Sequence, residues 1–156
     1  MPLKQKLTAL VGAGASAIAL TVIAHFESVR YEPYEDVGGV LTVCYGHTGK
    51  DIVPNKTYTK EECNELLESD FQRTKQQVDK LVKVPTDDYT KAALYSFAFN
   101  VGTGAFAKST TLKKLNAGDQ YGACEELKKW VYAGGKVWRG LVNRQEAEAA
   151  ICHGNL

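Results

Sequence analysis

The sequence predicts an α+β fold, with a mainly helical body and one small β lobe. Three observations support this class. Apolar residues recur at helical spacing over several stretches after Thr59. A Gly38-Gly39 pair separates two short runs that suit strands. The chain has 156 residues, which is enough for a single compact domain with its own core.

Composition excludes several classes of protein. The 19 basic and 18 acidic residues give a net charge of +1, which does not fit a nucleic-acid binder. The three histidines are far apart and no C-x-x-C pair occurs, so we expect neither a structural metal nor a cofactor. The even number of cysteines, 4, permits two disulfides in an oxidising compartment.

The first element in the chain is an apolar segment. Lys4 and Lys6 precede an uncharged run from Leu7 to Ala24, about as long as a bilayer-spanning helix requires. The leading lysines would keep the N-terminus cytoplasmic. The run is rich in alanine and also contains glycine, serine and threonine, so it predicts only a marginal membrane span.

Three interpretations of this segment are open. It is a signal peptide cleaved after Ala24, a buried core helix, or a reversible signal anchor, and the last is favoured. The first and third place residues 25–156 outside the cytoplasmic membrane. The predicted organisation is therefore an anchor over 1–24 and a folded domain over 25–156, with a β lobe at about 30–60 and a helical lobe at about 60–156.

The β lobe follows directly. The first helix is expected to continue through Ser28 and to end by Pro33. The stretch "DVGGVLTVCYGH", from Asp36 to His47, then predicts a strand, a glycine turn and a second strand.

Helices are predicted for the rest of the chain. Thr59 and Glu62 form a capping box, and the amphipathic helix that begins there runs to about Val82. Four more helices are expected, at Tyr89 to about "NVGTGAF", at "STTLKKLNAG", at "DQYGACEELKKWVYAGG" and from about Leu141 to Cys152.

Two carboxylates flank the predicted entry to the β lobe. Glu27 would be partly desolvated at the end of the apolar helix, whereas Asp36 would lie on a more open hairpin with Thr42 just beyond it. Paired carboxylates are the usual means of cleaving a glycosidic bond. Acidic residues beside turns are also common on ordinary surfaces, so the spacing alone leaves both interpretations open.

Longer motifs extend this observation. Glu27, eight residues, Asp36, five residues and Thr42 resemble the catalytic spacing of the phage-type lysozymes, muramidase endolysins that cleave bacterial peptidoglycan. Further stretches similar to that family cover nearly the whole chain after residue 26: "YEPYEDVGGVLTVCYGHT", "ALYSFAFNVGTGAFAKSTTLKKLNAGD" and "WVYAGGKVWRGLVNRQEAE". The N-terminal segment resembles the lambdoid subgroup that uses a signal-arrest-release helix.

The resemblance implies a lysozyme-like fold with a cleft between the lobes, and a role for each matched residue. Glu27 would be the general acid, Asp36 the base acting on a water, and Thr42 the residue that positions this water. The family inverts configuration, which requires carboxyl groups about 6.5 to 9.5 Å apart. Arg144 would pair with Glu27. Residues expected to line the cleft, with turn geometry or helix packing as the alternative, are Gly46, Asn100, Val101, Gly102 and Phe106.

Other side chains are assigned to structure. His47 is expected to anchor the hairpin by hydrogen bonding, and Trp130 and Trp138 to serve core or lobe packing rather than to form sugar-binding platforms. The lobes of such a fold predict the disulfides Cys44–Cys63 and Cys124–Cys152, although four cysteines allow three connectivities.

The expected partners are peptidoglycan glycan strands and, through residues 7–24, the cytoplasmic membrane, for a monomer that is later released to the periplasm. No nucleic-acid partner is expected. Two alternatives are a lytic transglycosylase, which needs only Glu27 and forms an anhydro sugar, and a non-catalytic wall-binding module on the same scaffold. The presence of Asp36 and Thr42 argues against the transglycosylase.

Overall fold

A computed structural model describes residues 1–10 and 12–155; Val11, within the predicted apolar segment, and Leu156 lie outside the described residues. The fold is α+β, as predicted. Its elements are α1 (Leu3–Thr8), α2 (Ala15–Phe26), β1 (Arg30–Glu35), β2 (Leu41–Cys44), β3 (His47–Thr48), α3 (Lys60–Leu81), α4 (Asp88–Val101), α5 (Thr103–Ala107), α6 (Thr110–Asn116), α7 (Gln120–Glu126), a 3-10 turn (Leu127–Lys129), β4 (Tyr132–Ala133), β5 (Lys136–Val137) and α8 (Arg139–Cys152).

The apolar N-terminal segment forms two helices rather than one. Turns separate α1 from α2, and Gly12 has a φ of +86°, which L side chains rarely adopt. In the described part of the chain, no helix is both long and apolar enough to cross a membrane. The helix also ends at Phe26, not at Ser28, because the backbone at Glu27 is extended.

In this structure α2 is a core helix. It packs against α4 and buries five apolar side chains, Ala15, Ile18, Ala19, Val22 and Ile23. Fully burying a Val or Ile side chain contributes about 1.5 to 3 kcal/mol. Helix α2 therefore holds the body together, and Glu27 follows it at a fixed position.

The β lobe has three antiparallel strands in the order β1-β2-β3. The first strand lies before Asp36, not after it, so the prediction that Pro33 would only end a helix is wrong. Pro33 is tolerated because β1 is an edge strand, with an irregular register between Arg30 and Tyr34. A separate small core lies beneath this sheet, formed by Val43, Cys44, Ile52, Tyr58 and Cys63.

Helix α3 begins at the predicted capping box, with Thr59 and Glu62 each satisfying a backbone N–H of the other. It contacts both the β lobe and α4. Helix α4 is the centre of the body, because α2, α3 and α8 all pack against it. The site described below lies where α2 and α8 meet the β lobe.

The C-terminal third differs from prediction in one place. The helix that begins at Gln120 does not extend to Gly134 but gives way to a 3-10 turn and the β4–β5 hairpin. Gly134 and Gly135 both have positive φ, as a two-residue hairpin turn requires. Helix α8 follows. The predicted disulfides Cys44–Cys63 and Cys124–Cys152 are both confirmed.

Candidate active site

Glu27 lies at the junction of the two lobes. Its Oε1 accepts a hydrogen bond from Arg144 Nη1 at 2.8 Å, so the predicted pairing of Arg144 with Glu27 is confirmed. On the β lobe, Gly46 has a φ of +74°, and a Cβ built there would be 3.7 Å from Glu27 Oε2. The Glu27 side chain is 28% exposed, so it is open to a ligand on one side only.

Arg144 is held by all three of its guanidinium nitrogens. Besides the Nη1 bond to Glu27, Nε donates to Glu148 Oε2 at 3.2 Å and Nη2 donates to the Ser96 carbonyl oxygen at 3.2 Å. The ring of Phe26 lies 5.8 Å from the guanidinium carbon. Because the guanidinium group is planar and all three of its nitrogens are hydrogen-bonded, its orientation is fixed. Arg144 therefore holds its positive charge at a fixed position next to Glu27.

Glu148 completes this network from the interior. Its Oε2 also accepts a hydrogen bond from the Ser96 hydroxyl, while in the described part of the chain its Oε1 has no partner. Burial raises the pKa of Glu148, and Arg144 and Ser96 oppose this rise. Sequence reasoning missed Glu148, although its spacing of four from Arg144 on one helix is a signal for a side-chain pair.

Asp36 and Thr42 are joined through the hairpin turn. The backbone N–H of Asp36 and the hydroxyl of Thr42 both donate to the Val40 carbonyl oxygen, each at 2.9 Å. Asp36 Oδ1 accepts from the amides of Gly38 at 2.8 Å and Val40 at 2.9 Å. Asp36 is exposed whereas Thr42 is buried, so the turn presents a carboxylate to solvent with a hydroxyl fixed beneath it.

Glu27 and Gly46 each line a cavity. The first, of about 440 Å³, is lined by Phe26, Glu27, Asn100, Ala133, Trp138, Gly140, Leu141 and Arg144. The second, of about 630 Å³, is lined by Gly46, Thr48, Asp70, Arg73, Thr74, Gln76, Gln77, Phe99 and Thr103. Each cavity is large enough for part of a polar ligand, and Glu27 lines the first of them.

The other predicted cleft residues divide into two groups. Gly46 and Asn100 line these cavities, as expected. Phe106 is fully buried and packs edge-on against Phe97, which is the helix-packing alternative. Gly102 has a φ of +91° at the junction of α4 and α5, which is the turn-geometry alternative.

Val101 is partly buried against the main core. This is the helix-packing alternative that the sequence left open for it.

The two tryptophans also differ. Trp130 packs edge-on against Phe97 with ring centroids 5.1 Å apart, as predicted. Trp138 is 55% exposed and lines the cavity beside Glu27, so it is not a core residue. The indole N–H donates to the Ala133 carbonyl oxygen at 2.8 Å, which pins the ring to the β4–β5 hairpin.

His47 has the predicted structural role. Its ring is buried, with Nδ1 lying 2.8 Å from Asp70 Oδ2 and Nε2 lying 3.0 Å from both carboxylate oxygens of Asp51. Burial lowers the pKa of His47, but these two carboxylates outweigh burial and raise it. No group of three or more His, Cys, Asp or Glu side chains in residues 1–10 and 12–155 is arranged to hold a metal ion.

Comparisons with known proteins agree with this geometry. The phage lysozyme family model matches residues 24–148. A SAR-endolysin of bacteriophage PS119 is 50% identical over 156 residues, covering 96% of this chain and 93% of the relative. An endolysin from Escherichia coli O157:H7 phage FAHEc1 superimposes with a TM-score of 0.78 at 34% identity, over 88% of this chain and 92% of that one. The muramidase domain of SpmX from Asticaccaulis excentricus gives a TM-score of 0.80 at 28% identity, over 86% and 93%.

Proposed function

Because this chain belongs to the phage lysozyme family and is therefore a muramidase endolysin, we propose that Glu27 and Asp36 divide its catalysis between a general acid and a general base. The observation that carries this assignment is the position of Glu27. It lies between Arg144 and Gly46 and lines a cavity of about 440 Å³. The substrate of the family is peptidoglycan.

The proposed reaction is a single displacement. Glu27 gives its proton to the glycosidic oxygen as the bond to the anomeric carbon breaks. Asp36 takes a proton from a water that attacks the opposite face of the sugar, and the Thr42 hydroxyl holds this water. The anomeric configuration is inverted. This mechanism requires the two carboxyl groups to stand about 6.5 to 9.5 Å apart, which leaves room for the water.

The test is mass spectrometry of the sugars released from purified peptidoglycan by the wild-type protein and by Glu27→Gln. Ordinary reducing muramic acid ends, absent with the variant, are expected. Products lighter by one water would instead identify a lytic transglycosylase and leave Asp36 without its role. Wall binding without any product, from a folded wild-type protein, would identify a non-catalytic module.

We further propose that residues 7–24 hold the new chain in the inner membrane, with the N-terminus cytoplasmic, until it is released to the periplasm as a monomer. The SAR-endolysin relatives and the lysine-flanked apolar run support this step. In the anchored state Glu27 would be held at the lipid surface, away from Arg144. Release would allow α2 to pack against α4.

A variant with a more apolar segment, Gly14→Leu together with Ser16→Leu, tests this proposal. These changes favour membrane insertion. We expect the variant to remain in the membrane fraction and to lack hydrolytic activity there, whereas wild-type protein released from the same cells is active. Full activity of the variant while it is in the membrane would contradict the proposal.

A further inference from the structure

Glu148 is a buried acidic residue that has no part in the proposed reaction. The Glu148 side chain is 0% exposed, on α8 one turn after Arg144. A buried carboxylate without a partner is costly, and here Arg144 Nε and the Ser96 hydroxyl supply hydrogen bonds to the same oxygen. Glu148 therefore depends on Arg144, and the orientation of Arg144 depends on Glu148.

The direction in which Arg144 points follows from this pairing. The guanidinium is planar, so fixing Nε on Glu148 and Nη2 on the Ser96 carbonyl oxygen determines where Nη1 lies. That position is 2.8 Å from Glu27 Oε1. The cation thus stands between two carboxylates, one fully buried and one facing the cleft.

The balance of charge has a chemical consequence for Glu27. A cation next to a carboxyl group favours its ionised form, which cannot donate a proton. Arg144 Nε and the Ser96 hydroxyl both donate to Glu148 Oε2, which favours the ionised form of Glu148 against its burial, and this negative charge on the same guanidinium offsets part of the effect on Glu27. We propose that Glu148 is a positioning residue that aims Arg144 at Glu27 while offsetting its charge, so that Glu27 can keep the proton it delivers to the substrate. The proposal rests on the role of Glu27 as general acid.

Several titratable groups on the surrounding helices have partners other than Arg144 and Glu148. From α4 the network receives only Ser96 in the described part of the chain. At the far end of α8, His153 pairs with Glu125 of α7, which also bonds Lys128 of the 3-10 turn. On α2, His25 is exposed and its ring lies 3.4 Å from Lys6 Nζ.

Among the described residues, none of these groups hydrogen-bonds Arg144 or Glu148. A change in the pH profile on altering Glu148 therefore reports on the Glu27–Arg144–Glu148 chain itself.

The experiment compares the pH dependence of kcat/KM on purified peptidoglycan for the wild-type protein and Glu148→Gln. Glutamine keeps the size of the side chain and removes its charge. We expect the basic limb of the profile, where the general acid loses its proton, to move down by about one pH unit, because the Arg144 charge is then offset less. The matched control is Glu126→Gln, a buried carboxylate bonded to Lys114 and Lys129 away from the cleft. The basic limb of the pH profile of this control variant should not move, even if the variant is less stable than the wild-type protein.

Ser96→Ala is a second variant that keeps the test decisive if Glu148→Gln does not fold. It removes one hydrogen bond from the Glu148 carboxylate, so we expect a smaller shift in the same direction. Unshifted profiles in the variants that fold, as judged by circular dichroism, would overturn the proposal. An inactive wild-type protein, or an active Glu27→Gln, would instead refute the proposed catalytic role of Glu27.

Discussion

At the scale of single residues, the cleft wall shows that the type of a residue does not determine the environment of its side chain. Trp130 and Trp138 are eight positions apart and of the same type, yet one packs on Phe97 and the other stands beside Glu27. The difference comes from the β4–β5 hairpin, whose Ala133 carbonyl oxygen holds the Trp138 indole at the cavity. An exposed, fixed aromatic ring beside a polar cleft is typical of a ligand-binding surface.

Replacement of Trp138 by alanine is therefore expected to weaken substrate binding. Loss of the ring should raise KM for peptidoglycan fragments about tenfold, corresponding to about 1.4 kcal/mol, with a smaller change in kcat. Steady-state kinetics on soluble fragments would measure this. Trp138→Phe, which keeps a ring but not the N–H, should retain most of the affinity.

Val137→Ala changes the adjacent exposed residue and should have no effect on KM. A tenfold loss in kcat for Trp138→Ala at unchanged KM would contradict a binding role and would indicate a displaced Arg144 or Glu27.

At the scale of elements, the helices with long sequence patterns were predicted correctly, whereas several strands with short patterns were missed. Helix α3 was predicted because its apolar period lasts for several turns and a capping box marks its start. Strands β4 and β5 have two residues each, too few for any period, so only Gly134-Gly135 marked the turn. The strand β1 was missed because Pro33 is an edge-strand residue whose tolerance depends on the partner strand.

Some contacts of the candidate site could be predicted from the sequence and others could not. The pairing of Arg144 with Glu27 came from motifs in the sequence, whereas the contribution of Ser96 depends on the packing of α4 against α8. No local pattern specifies that packing.

The contact between β3 and α3 gives an element-scale prediction about pH. His47 lies on β3 and contacts Asp70 on α3, and its pKa is raised in the folded state. A raised pKa means that the folded protein binds this proton more tightly, so the stabilisation is complete below the unfolded value of about 6.5 and is lost as pH rises through the folded value. The free energy of unfolding should therefore fall as pH rises from about 6.5 through the higher folded-state pKa of His47.

The measurement is chemical denaturation of the wild-type protein and His47→Gln across that range. The variant should be less stable at the acidic end, and its stability should change less with pH. His25, whose pKa burial and Lys6 lower, contributes with the opposite sign in both proteins, so the difference between them isolates His47. Parallel pH dependences in the two proteins would contradict the prediction.

At the scale of the whole molecule, α2 has one environment in the folded protein and another in the proposed anchored state. The run from Leu7 to Ala24 is apolar enough to suggest a membrane anchor, yet in the folded protein much of its apolar surface faces α4. The small residues that weaken it as a membrane span, such as Ala19, are those that permit close packing of helices. A marginal span and a good core helix are therefore compatible descriptions of one segment.

The body should consequently fail to fold without α2. A fragment of residues 25–156 loses Ile18, Ala19, Val22 and Ile23 from the main core, and even a single buried Ile replaced by Ala costs about 2 to 5 kcal/mol against a typical total stability of 5 to 15 kcal/mol. We expect this fragment to show no cooperative thermal unfolding by circular dichroism and no lysis of peptidoglycan. The matched control is a fragment of residues 14–156, which keeps α2 and should fold and remain active with reduced stability, because it loses buried Leu7. If residues 25–156 alone unfolded cooperatively and were active, α2 would be dispensable to the core, and its packing against α4 could not be what places Glu27 beside Arg144.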